Sequence, residues 1–172
     1  MATIEDQSKT IRARRSRDLD NRDVAILREL QANARITNAE LARRVHLSPT
    51  PCLERVKRLE NEGYIDRYVT LLNPRKVNAG QTVFVEVTLD RTSETRFADF
   101  AQGIERVAAV SECFMVAGGF DYLVKFRVAD MEEYRRVLGE ELTAIPGVAQ
   151  THSYVVMERI KETVTIQLED SE

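Results

Sequence analysis

Two short stretches of this 172-residue chain concentrate the residue types that do chemistry. The first runs Ser48-Pro49-Thr50-Pro51-Cys52-Leu53-Glu54-Arg55-Val56-Lys57-Arg58. Ser48 is a good N-cap, and Pro49 suits the first helical position, where a missing N–H costs nothing. Helical spacing then puts Cys52, Leu53, Val56 and Leu59 on one apolar face. Thr50, Glu54 and Arg58 fall opposite, with Arg55 and Lys57 on the flanks. Two prolines and two hydroxyls in one turn are poor for helix propensity. They do suit a helix N-terminus that must lie close to a phosphate or a base edge. Such a face is chemically equipped to contact DNA in its major groove. The competing reading is an ordinary helical hairpin with a solvated charged face.

The second stretch is Gly118-Gly119-Phe120-Asp121-Tyr122. Paired glycines bare backbone N–H groups that can hold a carboxylate. Asp121 can pair with an ammonium group, and Phe114, Met115 and Tyr122 can line an apolar side pocket. An amino acid has all three parts. A plain β-hairpin turn with Asp121 exposed competes with that reading.

The elements that must position these groups follow from periodicity. Leu19-Asp20 starts a helix, with Asp20 and Asp23 at its positive end and Val24, Ile26, Leu27 and Leu30 along it. Asn33 to Ile36 is a turn. Thr37 with Glu40 predicts a capping box for a second helix, which opens at Asn38 and offers Leu41, Ala42 and Val45. The third helix is the Ser48 stretch, and Gly63 stops it. Three helices with a tight turn before the last make a helix-turn-helix domain over residues 18–63. Its expected DNA contacts are Asn38, Ser48, Pro49, Thr50, Pro51, Glu54, Arg55, Lys57 and Arg58. Residues 1–17 are polar and basic and are read as a mobile arm.

Residues 64–80 read as an alternating strand, Tyr64 to Leu72, followed by a linker broken at Asn73-Pro74. Residues 81–161 then give strand, helix, strand, strand, helix, strand. The markers are Val83/Val85/Val87/Leu89, Phe97/Phe100/Ile104, Val110 to Val116, Phe120 to Val128, Met131/Tyr134/Leu138 and Thr151 to Met157. Asp130 with Glu133 caps the second helix of this half. That order predicts a ferredoxin-like βαββαβ sandwich, so the whole chain is α+β. Within residues 162–172, Val164, Ile166 and Leu168 suggest a short last strand. A sheet covered on one face leaves the other open, and that face carries apolar residues too, which favours a second copy of the chain as partner.

Composition narrows the function classes. Met1 to Gly63 holds 13 Lys and Arg against 10 Asp and Glu, whereas the remainder holds 12 against 18. A basic front half and an acidic back half fit DNA contact at one end. Cys52 and Cys113 stand far apart and histidines are few, so neither a disulfide framework nor a metal site is indicated. The strand Phe120 to Val128 lacks the glycine and basic pattern of RNA-binding sheets. His152 is one of only two histidines, and no phosphate loop appears, so no enzyme is expected. No apolar run approaches membrane-spanning length and Met1 opens no apolar signal, which implies a soluble cytoplasmic protein without a membrane partner.

The string S-P-T-P-C-L-E-R-V-K-R-L-E, preceded by L-D-N-R-D-V-A-I-L-R-E-L-Q-A-N-A-R-I-T-N-A-E-L-A-R-R-V, resembles the leucine-responsive regulatory protein (Lrp/AsnC) family. G-G-F-D-Y-L and Y-R-R-V-L-G-E are similar to segments of that family's effector domain, and the likeness runs from about Asp18 to Lys161. The resemblance implies a nucleoid-associated transcription regulator that binds double-stranded DNA and responds to an amino acid such as leucine, with no other cofactor. It implies dimers that assemble into larger rings, up to an octamer. It also implies an effector site at an interface between dimers. That site is built from Phe114, Met115, Gly118, Gly119, Phe120, Asp121 and Tyr122, with Thr151, Tyr154 and Val156 nearby. Two rivals remain: a DNA-wrapping architectural protein without a ligand, and an amino-acid-binding module that regulates an enzyme.

Overall fold

The computed structural model describes residues 19–169; the basic arm expected over residues 1–17 lies outside them. The chain divides into two compact units. Of the described residues, one contains 19–70 together with 163–169, and the other spans Leu71–Glu162.

The first unit holds three helices, α1 (Asn21–Ala32), α2 (Asn38–Arg44) and α3 (Pro49–Asn61). α1 begins with a reciprocal box of two aspartates. Asp23 N–H donates to Asp20 Oδ1 at 2.9 Å, and Asp20 N–H donates to Asp23 Oδ2 at 3.1 Å. For α2, half of the expected box forms: Glu40 N–H donates to Thr37 Oγ1 at 3.3 Å. The Glu40 carboxylate does not return to Thr37, because Arg43 and Arg44 claim it. The turn into α3 is made by His46 at φ 54°, and α3 ends at Gly63 with φ 75°. Ser48 occupies the N-cap of α3 but makes no side-chain capping bond there. Instead the Asn38 amide of α2 donates to the Pro49 carbonyl at 2.8 Å, fastening the two helix starts together.

Ile26, Leu27, Leu41, Ala42, Val45, Cys52 and Leu59 form the core of this unit. Full burial of a side chain such as Leu59 contributes roughly 1.5–3 kcal/mol. Leu53, expected in that core, lies on the exposed side. Leu168 packs onto the same core from the far end of the chain. Gln31 secures it by donating to the Ile166 carbonyl at 3.1 Å and accepting from its N–H at 2.7 Å, and Arg28 donates to the Leu168 carbonyl. The expected final strand therefore does not form. Its backbone is held by side chains of α1, in place of a sheet ladder.

In the second unit the strands are β1 (Gln81–Leu89), β2 (Val110–Met115), β3 (Tyr122–Val128) and β4 (Val148–Val155). The helices are α4 (Glu94–Ile104) and α5 (Met131–Val137), and a π-helical turn, Leu138–Leu142, extends α5. The sheet is antiparallel in the order β2-β3-β1-β4, the arrangement of a split βαβ sandwich. Val83, Val85, Val87, Val124, Phe126 and Val128 face the helices and meet Phe100, Ile104, Tyr134 and Val137. Met131, expected to be buried with Tyr134, is exposed.

One further expectation changes. The strand read over Tyr64 to Leu72 is irregular, and Tyr68, Val69, Leu71 and Leu72 are exposed. Alternation alone makes no strand; a ladder partner is required, and the described residues offer none. The open sheet face carries apolar residues, as expected, together with charged pairs. Lys125 and Glu112 pair across it at 2.5 Å, Arg127 meets Glu162 at 2.8 Å, and His152 stands beside Glu86. Phe114 and Tyr154 supply its exposed apolar surface.

Candidate nucleic-acid interface and effector loop

α3 carries an exposed face and a tethered one. Ser48, Pro49, Thr50, Pro51, Glu54 and Lys57 are exposed. Thr50, Glu54 and Lys57 follow one another at helical spacing, so their hydroxyl, carboxylate and ammonium share a side of the helix. Arg55 and Arg58 turn the other way. Arg55 Nη1 donates to Asp23 Oδ1 at 2.8 Å and to Asp20 Oδ2 at 2.6 Å, and Arg58 Nη2 donates to Asp23 Oδ2. Asp23 is 1% exposed, whereas the arginine side chains keep 31% and 39% of their surface.

Hydrogen bonds donated to these acids push both guanidinium pKa values up. Burial alone would raise the Asp20 carboxyl, but the Asp23 N–H and Arg55 outweigh it and hold the carboxyl below its ordinary range. Arg58, read from the sequence as the centre of the outward face, thus spans α3 and α1. Sequence reasoning placed Asp23 only as a helix-end charge, because its two cationic partners lie 32 and 35 residues away. Asn38 is committed as well, through its bond to Pro49, and its Oδ1 is buried without a partner.

The loop between β2 and β3 is closed by Val116 N–H on the Asp121 carbonyl at 2.9 Å. Asp121 N–H donates to Val87 O at 3.0 Å, and Asp121 Oδ2 accepts the Leu89 N–H at 2.7 Å. One carboxylate oxygen therefore anchors the loop to the end of β1. Gly118 and Gly119 are exposed, with open space where a side chain would stand. Phe114 and Met115 are 50% and 58% exposed, and Phe120 is half-buried. Tyr122 belongs to the core, its ring 4.3 Å from Phe100 and 6.2 Å from Phe97. It is placed to support the loop, not to line an open pocket.

Thr151 lies opposite Val87 and so reaches the same end of the sheet as Asp121. Tyr154 pairs with Phe84 and Val156 with Thr82, toward the opposite end of β1. The expected effector residues thus separate into a group around the loop and a pair farther along β4. Burial pushes the neighbouring Cys113 thiol up to about 11, so it stays protonated near neutral pH. Among the described residues no group of three His, Cys, Asp or Glu side chains is placed to hold a metal, and no helix is long and apolar enough to cross a membrane.

Two family models match the chain. A winged helix-turn-helix DNA-binding model covers residues 19–66, and an Lrp/AsnC ligand-binding-domain model covers residues 82–166. Leucine-responsive regulatory proteins of Klebsiella pneumoniae and of Escherichia coli K12 are 51% identical over 150 residues, covering 87% of this chain and 92% of each relative. Among solved structures, a transcriptional regulator of Neisseria meningitidis in complex with L-Met aligns with TM-score 0.83 and 38% identity, over 87% of this chain and 96% of that one. An AsnC family transcriptional regulator of Agrobacterium tumefaciens aligns with TM-score 0.83 and 34% identity, over 87% and 97%.

Proposed function

The chain belongs to the Lrp/AsnC family of amino-acid-responsive transcription regulators, and from that premise we propose that α3 reads DNA while the β2–β3 loop receives the effector. The observation that carries this reading is the pairing, in one chain, of a polar exposed helix face with a glycine loop built around a half-engaged aspartate. Thr50, Glu54 and Lys57 contact base edges and phosphate, with Ser48, Pro49 and Pro51 at the approaching helix end. Gly118 and Gly119 N–H groups address the effector carboxylate and the free Oδ1 side of Asp121 its ammonium. Phe114 and Met115 cover the side chain, and Thr151 closes the near edge. Tyr154 and Val156 join the site where a second copy brings them near it.

Leucine is the proposed effector, and methionine its first competitor. The functional particle is a dimer that assembles to an octamer in the cytoplasm, on the nucleoid. Calorimetry of the full chain with each of the twenty amino acids, repeated with DNA bound, tests the reading. Leucine should bind, with an affinity that changes when DNA is present, since coupling is reciprocal. Heat with no amino acid, alongside intact DNA binding, would favour the architectural rival. Amino-acid binding without any DNA affinity would favour the enzyme-regulating module.

A further inference from the structure

We propose that Asp23 is a positioning residue for DNA reading: it withdraws Arg55 and Arg58 from the groove and leaves recognition to Thr50, Glu54 and Lys57. The inference rests on α3 being the DNA-reading helix. Asp23 is buried at 1% exposure and its carboxylate is occupied on both oxygens, by Arg55 Nη1 on Oδ1 and by Arg58 Nη2 and the Asp20 N–H on Oδ2. Arg55 shares itself with Asp20 at 2.6 Å. Two aspartates and two arginines cancel, so the cluster adds no net charge to the face that meets the polyanion. Among the described residues, Lys57 is then the one cation of α3 left without an ion-pair partner.

The arrangement also sets geometry. Both guanidiniums rise from α3 and end on α1, and Cys52 and Leu59 of the same helix are fully buried against the core. Rotation of α3 about its axis would break the ion pairs and uncover those two side chains together. Long cationic side chains that reach any phosphate add affinity without sequence information. Holding two of them on an internal carboxylate lowers indiscriminate binding while the short polar groups keep a fixed register.

The test uses the full chain, a duplex selected by the wild type from a random pool, and a composition-matched scrambled duplex, titrated over a range of salt. Asp23→Asn releases the arginines. Affinity for the scrambled duplex should rise, and the slope of log K against log salt should steepen by about one to two, one counterion for each new phosphate contact. Preference for the selected duplex should fall by roughly tenfold. Arg58→Gln should leave the salt slope unchanged while lowering the melting temperature, and it keeps the test alive if Asp23→Asn does not fold. A merely structural aspartate would shift the melting temperature and leave slope and preference as they were. A folded Asp23→Asn chain with unchanged slope overturns the proposal, as does a slope reduced by about one in Arg58→Gln. If the wild type selects no duplex at all, the reading of α3 fails instead.

Discussion

In the proposed reading, Asp121 does two things with one carboxylate. Oδ2 accepts the Leu89 N–H at 2.7 Å, and Oδ1 is the atom proposed to meet the ligand. Asp121→Asn keeps an acceptor for Leu89 and removes the charge, so the loop should stay in place while the effector ammonium loses its partner. Loss of a charge-assisted contact costs about 1.5–3 kcal/mol, and calorimetry should show amino-acid binding weakened roughly tenfold or more. Unchanged affinity would move the ligand away from this loop. DNA affinity without effector should not change. Spacing marks out the residue types of this proposed site: two glycines, an acid and nearby apolar side chains. Tyr122 lies in the core, which spacing does not show, since alternation along a strand gives two faces without saying which is covered. That Leu53 lies on the exposed side and Arg58 reaches Asp23 is hidden from spacing for a related reason. Helical periodicity separates faces by hydrophobicity, and it cannot see that a buried Asp23 on another helix draws arginines inward.

At the scale of elements, the helices and the four strands followed their patterns, since 3.6- and 2-residue periods are set within the segment itself. The stretches 64–72 and 164–168 alternate as well, yet stay irregular, because pairing is a property of two segments. Helix ends carry a pH dependence that can be worked out. The Glu40 carboxyl is held down to about 2, first by its hydrogen bond from Arg43 and then by that from Arg44. Asp20 is lowered too. Free carboxylates titrate near 4, so the contribution of both groups is complete above that pH. It is lost as the pH falls through the folded value, about 2 for Glu40. Thermal unfolding followed from pH 6 to pH 2 should show the melting temperature of the first unit falling across this window, and Glu40→Gln should flatten the fall.

The α4 helix gives a second prediction. A Cβ on Gly103 would lie 2.7 Å from Ile145 Cγ2. Ile145 is buried and β-branched, so it yields poorly. Overpacking at about 1–3 kcal/mol then exceeds the gain of about 1 kcal/mol from replacing a helical glycine. Gly103→Ala should therefore lower the denaturant midpoint, and a raised midpoint would mean that Ile145 repacks freely.

For the whole molecule, the first unit is assembled from both ends of the sequence. Removing residues from Thr163 onward takes away the half-buried Leu168, the paired Gln31–Ile166 hydrogen bonds and the Arg28 contact. These losses sum to about 1–3 kcal/mol against that unit alone. The truncated chain should lose thermal stability and protease resistance within residues 19–70, while amino-acid binding by the second unit persists. Equal protease sensitivity in the two chains would show that the tail contributes nothing.

This discontinuity also sets a schedule. During synthesis the three helices emerge first, yet the side chain that completes their core is translated only after the whole of Leu71–Glu162. At the ordinary pace of translation that interval is about 5–20 s. Through it the nascent helices expose part of the surface that Leu168 will cover, and the ligand-binding unit has time to fold before its neighbour is finished.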